Sequence, residues 1–429
     1  MKSRRNFIKK ASSLASVITL SPALNAFASQ SVQEAGKHIG DLTPAEAAKN
    51  EEYWHTIQQA YTVSANIINL NNGGVSPQPL VVQDAVERYN RMSNEGPSYF
   101  MWRILDAGRE SLRMKLADLA GCDAEEIAIN RNATEALGTV ILGLNLKRGD
   151  EVVLTKQDYP NMLQAWKQRE MRDGIKLNFI NLELPIENEE SIVHQFVQAF
   201  TPRTKVVMIT HMINWTGQIL PVKKIAEIAR TKGIEVLVDG AHTFAHLDYK
   251  ITDLGCDYYG TSLHKWLSAP IGSGMLYVKR DKIKNLWPLF PNNNPQADDI
   301  RKFEVLGTRS FPIEQAIGQA VNFQNAIGNK RKEERLRYLK NYWAEKIVHL
   351  PKVKLNTSLK SEYSCALANF SIEGMTPGEI ESTLFSKYKI HTSPIVWENI
   401  KGVRVAPHVY TPLKDLDRLV DAITYLSKK

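Results

Sequence analysis

Lys265 stands in the stretch "YYGTSLHKWLSAPIGSG", among apolar and small residues just ahead of a Gly-Ser-Gly turn. Burial disfavours the charged form of a lysine, and an amine kept partly neutral can attack a carbonyl and form an imine. Upstream, Asp239 closes an apolar run in "VLVDGAH". A carboxylate there can accept a charge-assisted hydrogen bond, worth about 1.5–3 kcal/mol, from a protonated heteroaromatic nitrogen. Further back, Asn132, Ala133 and Thr134 precede a run carrying Leu137, Val140, Ile141 and Leu144 at helical spacing. The unpaired N–H groups and partial positive charge at a helix N-terminus suit a phosphate, although Asn or Thr there is first of all a cap. A phosphate cradle, an acid for a ring nitrogen and an imine-forming lysine are together what pyridoxal phosphate requires.

Such residues need a scaffold that gathers them. "EVVLT" (151–155), "KVVMITH" (205–211), "IEVLVDG" (234–240) and "GMLYVK" (274–279) are short apolar runs without strict alternation, as in strands covered on both faces. Between two of them Val222, Ile225, Ala226 and Ala229 recur at helical spacing. The pattern predicts βαβ units and a mostly parallel central sheet flanked by helices, with ligands beyond the carboxyl ends of the strands. His211, Asn214 and Thr216 follow one such end and Tyr159 another. Near the start, "ANIINLNNGGVSPQP" breaks a short strand with Asn71, Asn72, Gly73 and Gly74. A backbone free of bulky side chains can approach a ligand, which makes Asn72 and Gly73 candidates for the substrate side. From about Gly318 a charged helical region leads into "CALANFSI" and a last helix with Leu416, Leu419, Val420, Ile423 and Leu426 on one face. This part reads as a smaller α+β C-terminal domain, and the charge run from Lys330 to Arg337 as a solvated helix face.

The 429 residues and 43% hydrophobic content fit a globular protein with a sizeable core. Of the formal charge of +8, Lys2, Arg4, Arg5, Lys9 and Lys10 supply five before any acid appears, so the remainder is not that of a nucleic-acid binder. Those residues open a basic stretch, a short apolar run from Ala11 to Leu24 and small residues around Ala28, the layout of a cleaved export signal. Arg4-Arg5 resembles the twin-arginine signal, whose machinery carries folded proteins to the periplasm. The expected division is a signal at 1–28, a linker and helix at 29–64, a cofactor-binding large domain at 65–317 and a small domain at 318–429. No membrane association is expected once the signal is removed. Cys122, Cys256 and Cys365 form no C-x-x-C pair and read as isolated small hydrophobes. Asp239, His242 and His246 in "DGAHTFAH" raise a metal reading, which the glycine before the histidines and the lack of a Glu between them oppose. No metal site is expected.

"VDGAH" followed by "SLHKW" resembles the class V group of fold-type I pyridoxal-phosphate enzymes, which includes cysteine desulfurases, several aminotransferases and isopenicillin N epimerase-like proteins. The resemblance runs from about Ala65 to the C-terminus. It implies that Lys265 carries the cofactor as an imine and shuttles protons, that Asp239 pairs with the ring nitrogen, and that His242 lies near the ring. Ser262 and His264 would contact phosphate together with the amides of Ala133 and Thr134, Asn214 would bind the ring hydroxyl, and Tyr159 would stack on the ring. Arg404, in "GVRVAPHVYTPLKDLDRL", would clamp a substrate carboxylate. Gly307 and Thr308, in "EVLGTRS", would reach the cofactor phosphate of the other subunit in a homodimer.

Desulfurases carry a mobile nucleophilic cysteine ahead of that arginine, and "YKIHTSPIVWENIKGVR" has none, so persulfide chemistry is not expected. What remains is reaction at the α-carbon of an amino acid. Aminotransferase-like chemistry is the first expectation and epimerisation, racemisation or β/γ-elimination the alternative. Export tilts towards the alternative, because these reactions need no keto acid as second substrate. A non-catalytic ligand-binding protein retaining the fold is the competing reading, and simple binding would not need an imine-forming lysine.

Overall fold

The structure is a computed structural model that describes residues 32–428, so the signal expected at 1–28 lies outside the described residues. The strands of its first part are β1 (Ile68–Asn69), β2 (Ile127–Asn130), β3 (Glu151–Thr155), β4 (Lys176–Ile180), β5 (Thr204–Thr210), β6 (Glu235–Asp239), β7 (Tyr258–Ser262) and β8 (Gly274–Val278). All but β1 form one sheet in the order β2-β8-β7-β6-β5-β3-β4. Only β8 runs against its neighbours.

Continuous apolar runs become strands here because helices cover both faces, and the period of two divides each strand between two cores. Val153 faces a core with Leu112 and Leu116 of helix Arg109–Ala120, Ile225 of Val222–Thr231 and Ile317 of Phe311–Ile327. Its neighbours Val152 and Leu154 face the other core, with Leu137 of helix Ala133–Gly143 and Trp166 of Pro160–Asp173. Two glycines set close approaches at the carboxyl edge. A Cβ at Gly240, directly after Asp239, would lie 1.9 Å from the Tyr259 ring, and one at Gly274 would lie 2.5 Å from the Asn132 amide. The second contact seats the N-terminus of helix Ala133–Gly143 on the sheet, where Asn132 Oδ1 caps it by accepting from Glu135 N at 2.9 Å.

The C-terminal part holds β9 (Val353–Leu355), β10 (Ala368–Ile372), β11 (Ile390–His391), β12 (Ser393–Trp397) and β13 (Ile400–Val405). Four of these make an antiparallel sheet in the order β12-β13-β10-β9. Helices Asn329–Ile347, Pro377–Tyr388 and Leu413–Ser427 pack on it through Trp343, Ile380, Leu416, Leu419 and Ile423. β1 pairs in parallel with β11, Ile68 opposite Ile390, so the strand ahead of the Asn71–Gly74 turn joins this part of the molecule.

The charge run in helix Asn329–Ile347 is not a solvated face. Lys332, Glu333 and Arg335 are buried, because the N-terminal helix Glu51–Gln59 and the loop after Lys265 pack against them. Arg335 bonds Glu51 and the Ala48 carbonyl, Arg337 bonds Glu333, and the Lys332 amine bonds Gln324 Oε1 at 2.7 Å and the Trp266 carbonyl. A helical charge pattern shows that residues share a face but not what lies opposite it.

Candidate active site

The carboxyl ends of β3, β5, β6 and β7 open on one edge of the sheet, and the residues beyond them meet there. Asp239 ends β6 in register with Thr210 of β5 and Gly260 of β7. It is buried, and its Oδ1 accepts from Ala241 N at 2.9 Å. Burial raises its pKa, opposed by that bond and by the charge of Lys265.

Lys265 Nζ lies 3.1 Å from His242 Nε2, and Trp266 Nε1 donates to His242 Nδ1 at 3.4 Å. Burial holds the imidazole pKa well below its ordinary value, so His242 is neutral. With Nδ1 accepting from the indole, its single proton belongs on Nε2, from which it is donated to the Lys265 amine when that amine is neutral. Burial pushes the Lys265 pKa down to about 8, with Asp239 opposing and Arg404 reinforcing the shift. The site therefore makes the nucleophilic form of the amine far more accessible than on an exposed lysine.

At the phosphate end, the last residue of β7, Ser262, accepts from Ala133 N through its hydroxyl at 2.9 Å. Glu135 N is held by Asn132, and Thr134 is an exposed residue of the first turn. His264 Nδ1 donates to Ser273 O at 3.1 Å, which leaves Nε2 for a ligand. Among the described residues Asn214 Oδ1, His211 Nδ1 and Arg404 Nε are buried without partners. Unmet groups of this kind cost about 1–3 kcal/mol each, and a ring with a hydroxyl, carrying a substrate carboxylate, supplies the partners Asn214 and Arg404 lack. The residues present fit pyridoxal phosphate.

At the substrate end, Arg404 of β13 donates from Nη1 to Asn214 O at 2.9 Å and from Nη2 to Asn71 Oδ1 at 2.8 Å. Burial lowers its pKa to about 10, which leaves it charged at neutral pH. A Cβ on Gly73 would lie 3.4 Å from His242 Cε1 and 3.5 Å from Arg404 Cζ, so this glycine borders the space between the two. Asn72 faces inward instead. Its amide donates to Ala406 O at 2.8 Å and its Oδ1 accepts from Tyr410 at 2.6 Å, so its side chain is spent on the fold. Tyr159, at the N-cap of helix Pro160–Asp173, is 39% exposed, and its phenol acts on the charge of Arg404 across the mouth of the site.

Two residues that sequence reasoning missed belong here. Asn71 holds Arg404 and stands 3.3 Å from His391 Nε2 through its amide; the doubled asparagine was visible, but not which one turns towards Arg404. Asp158 is fully buried and accepts from the hydroxyls of Thr155 and Thr210, each at 2.8 Å; burial raises its pKa to about 6. Gly307 and Thr308 lie between the turn Ile300–Glu304 and helix Phe311–Ile327, with the Gly307 carbonyl bonded by Arg309 at 3.5 Å rather than by the groups around Lys265. His246 donates from Nδ1 to His242 O at 2.6 Å and accepts from Ala366 N at 3.0 Å. Both nitrogens are occupied, and no cluster of metal-ligating side chains occurs among the described residues.

The sequence profile of the Aminotransferase class-V family matches residues 67–394. Isopenicillin N epimerase of Amycolatopsis lactamdurans is 28% identical over 394 residues, covering 87% of this chain and 99% of that protein. The protein of the same name from Streptomyces clavuligerus is 29% identical over 394 residues, covering 87% and 98%. Among solved structures, an apo cysteine desulfurase from Thermococcus onnurineus superposes with a TM-score of 0.76 at 22% identity, covering 87% of this chain and 97% of that one. The chain belongs to the class V aminotransferase family of pyridoxal-phosphate-dependent enzymes, with the fold-type I architecture.

Proposed function

We propose that this class V enzyme removes the α-proton of an amino acid held by its carboxylate at Arg404 and returns a proton to the opposite face, as an epimerase or racemase. The observation that carries α-proton removal is the Lys265 amine, its pKa lowered to about 8, 3.1 Å from His242 beside Asp239 and across from Arg404. The choice of epimerisation rests on the two near-full-length relatives named as epimerases. When bound, pyridoxal phosphate supplies the electron sink that makes an α-proton removable.

The chain's own residues divide the remaining tasks. Arg404 takes the carboxylate through its free Nε, fixed in aim by Asn71 and Asn214. Asp239 keeps a negative charge at the ring nitrogen. Lys265 would take the α-proton as a base whose lowered pKa suits the task, and His242 would hold that amine in line.

Incubating the holoenzyme with single enantiomers in D2O tests the reading. Appearance of the opposite configuration with deuterium at the α-carbon supports it, and retention of configuration overturns it. Transamination, the reading that sequence alone favoured, uses the same lysine. Formation of keto acid with loss of the visible cofactor band would select it instead. A persulfide route is not proposed: Cys256 and Cys365 are buried, and burial pushes the Cys122 thiol up to about 12.

The protein is also proposed to act as an exported homodimer. Tyr99, Trp102, Ile104 and Val305 are exposed, and Arg309 beside Gly307 lies over the Trp102 ring. A chain that sediments as a monomer would remove the dimer. An intact N-terminus in the cytoplasmic fraction would remove export.

A further inference from the structure

The short turn that carries Tyr159 is fastened on every side, and one fastening comes from the hairpin that leads to Arg404. Two successive carbonyls just ahead of Tyr159 are each held by an indole. Trp397 Nε1 donates to Lys156 O at 2.8 Å, and Trp215 Nε1 donates to Gln157 O at 2.9 Å. The two rings stack on each other, with centroids 5.4 Å apart and planes 25° apart. Trp215 follows Asn214, whereas Trp397 ends β12 at the β12–β13 hairpin, and Arg404 lies further along β13. The Gln157 amide donates to Asn399 Oδ1 in that hairpin at 3.0 Å and to Asn181 Oδ1 at 2.8 Å. Its Oε1 accepts from Leu182 N at 2.9 Å, and Asn399 Nδ2 donates to Leu182 O at 3.0 Å. Asp158 closes the turn from below through Thr155 and Thr210.

The turn has thus spent the polar side chains and carbonyls ahead of Tyr159 on neighbours, while the phenol ring stays at the mouth of the site. The fastening also crosses from the large sheet to the C-terminal one. We infer that Trp215 and Trp397 are positioning residues: the stacked indole pair fixes Tyr159 against the cofactor ring and ties its placement to the strand that carries the substrate-binding Arg404. The bonded carbonyls fix the backbone from which Tyr159 projects, so its ring cannot be displaced as a whole without breaking those bonds, and its placement is pre-organised.

The inference rests on Tyr159 as the stacking residue, and the experiment separates the two. Holoenzyme is prepared as wild type, Tyr159→Ala, Trp397→Phe, Asn399→Ala and the double variant Tyr159→Ala/Trp397→Phe. Pyridoxal phosphate dissociation constants, the visible circular dichroism of the bound cofactor, and melting temperatures are measured for each. Trp397→Phe keeps the ring pair and loses only the bond to Lys156 O. It is expected to weaken cofactor binding about three- to tenfold and to reduce the dichroic band, and to have no further effect once Tyr159 is alanine. Asn399→Ala, which loosens Gln157, should act in the same direction and stands in if Trp397→Phe does not fold. If Tyr159→Ala leaves affinity and dichroism unchanged, the stacking role and this inference fall together. If Tyr159→Ala weakens binding but the hairpin variants do not, or if Trp397→Phe acts equally in both backgrounds, the stacking role stands and the positioning inference alone falls.

Discussion

Gly73→Ala separates the substrate space from the fold. Gly73 is absent from the glycines with left-handed backbone, and a methyl there would meet His242 Cε1 and Leu367 Cδ2 at 3.4 Å and Arg404 Cζ at 3.5 Å. These are ordinary contact distances, so the apoprotein accommodates alanine without strain and gains about 0.4–1 kcal/mol from a less flexible unfolded chain. The same methyl projects between the guanidinium that takes the carboxylate and the imidazole that steadies the base. A carboxylate displaced by about 1 Å costs on the order of 10²-fold in rate, or about 2.7 kcal/mol of transition-state stabilisation. The assay is kcat/KM for the amino acid that exchanges its α-proton, alongside the cofactor dissociation constant and the melting temperature. The expected pattern is a loss of about 10²-fold in kcat/KM with cofactor affinity and melting temperature preserved. A variant within threefold of wild type would show that substrate does not lie between Arg404 and His242; a variant that melts well below wild type would show that the space around Gly73 is already full.

Stability of the apoprotein should depend on pH through Lys265, whose pKa is about 8 when folded and 10.5 in the unfolded reference. Between these values the unfolded state holds the proton more tightly, so stability rises with pH across that window by at most about 3 kcal/mol. Urea unfolding of wild type and Lys265→Met at pH 7 and pH 10 should show the difference between them shrinking at pH 10, and parallel behaviour would refute the lowered pKa. Asp239→Asn keeps the bond from Ala241 N but loses the charge at the ring nitrogen. It should lower kcat about 10²–10³-fold with the melting temperature nearly unchanged, and an equally active variant would end that role. Replacing Cys122 by Ser and both buried cysteines by Ala should preserve turnover, since none lines the site; a dead triple variant would reopen persulfide chemistry. Dialysis against a chelator should leave cofactor binding intact, whereas His246→Ala should cost about 2 kcal/mol or more by uncovering Ala366 N and the Trp266 face stacked 3.9 Å away.

Much of the fold was legible because it depends on local pattern. The apolar runs that became β3, β5, β6 and β8 announce strands buried on both faces, and the period of Val222, Ile225, Ala226 and Ala229 announces the helix between two of them. A parallel sheet then places the ends of β3, β5 and β6 on one edge, so Tyr159, Asn214 and Asp239 could be named before any distance was known, whereas Lys265 stood out by its apolar setting ahead of β8 and the strand β7 before it went unread. The types of these residues, read with their chemistry, also called for an imine-forming cofactor.

Direction and partnership were decided only by tertiary structure. Asn71 and Asn72 are adjacent and identical in type, yet one holds Arg404 and the other is bonded to Ala406 and Tyr410, because β1 pairs with β11 and sets which way the turn faces. The charges of Lys332, Glu333 and Arg335 are buried because helix Glu51–Gln59, far away in sequence, packs on them. The proton on His242 is assigned by the indole of Trp266, and the turn of Tyr159 is held by Trp397, more than two hundred residues along the chain. Sequence period records which residues share a face; which residues of distant segments meet, and so which polar atoms remain free to do chemistry, is set when the two sheets close on each other.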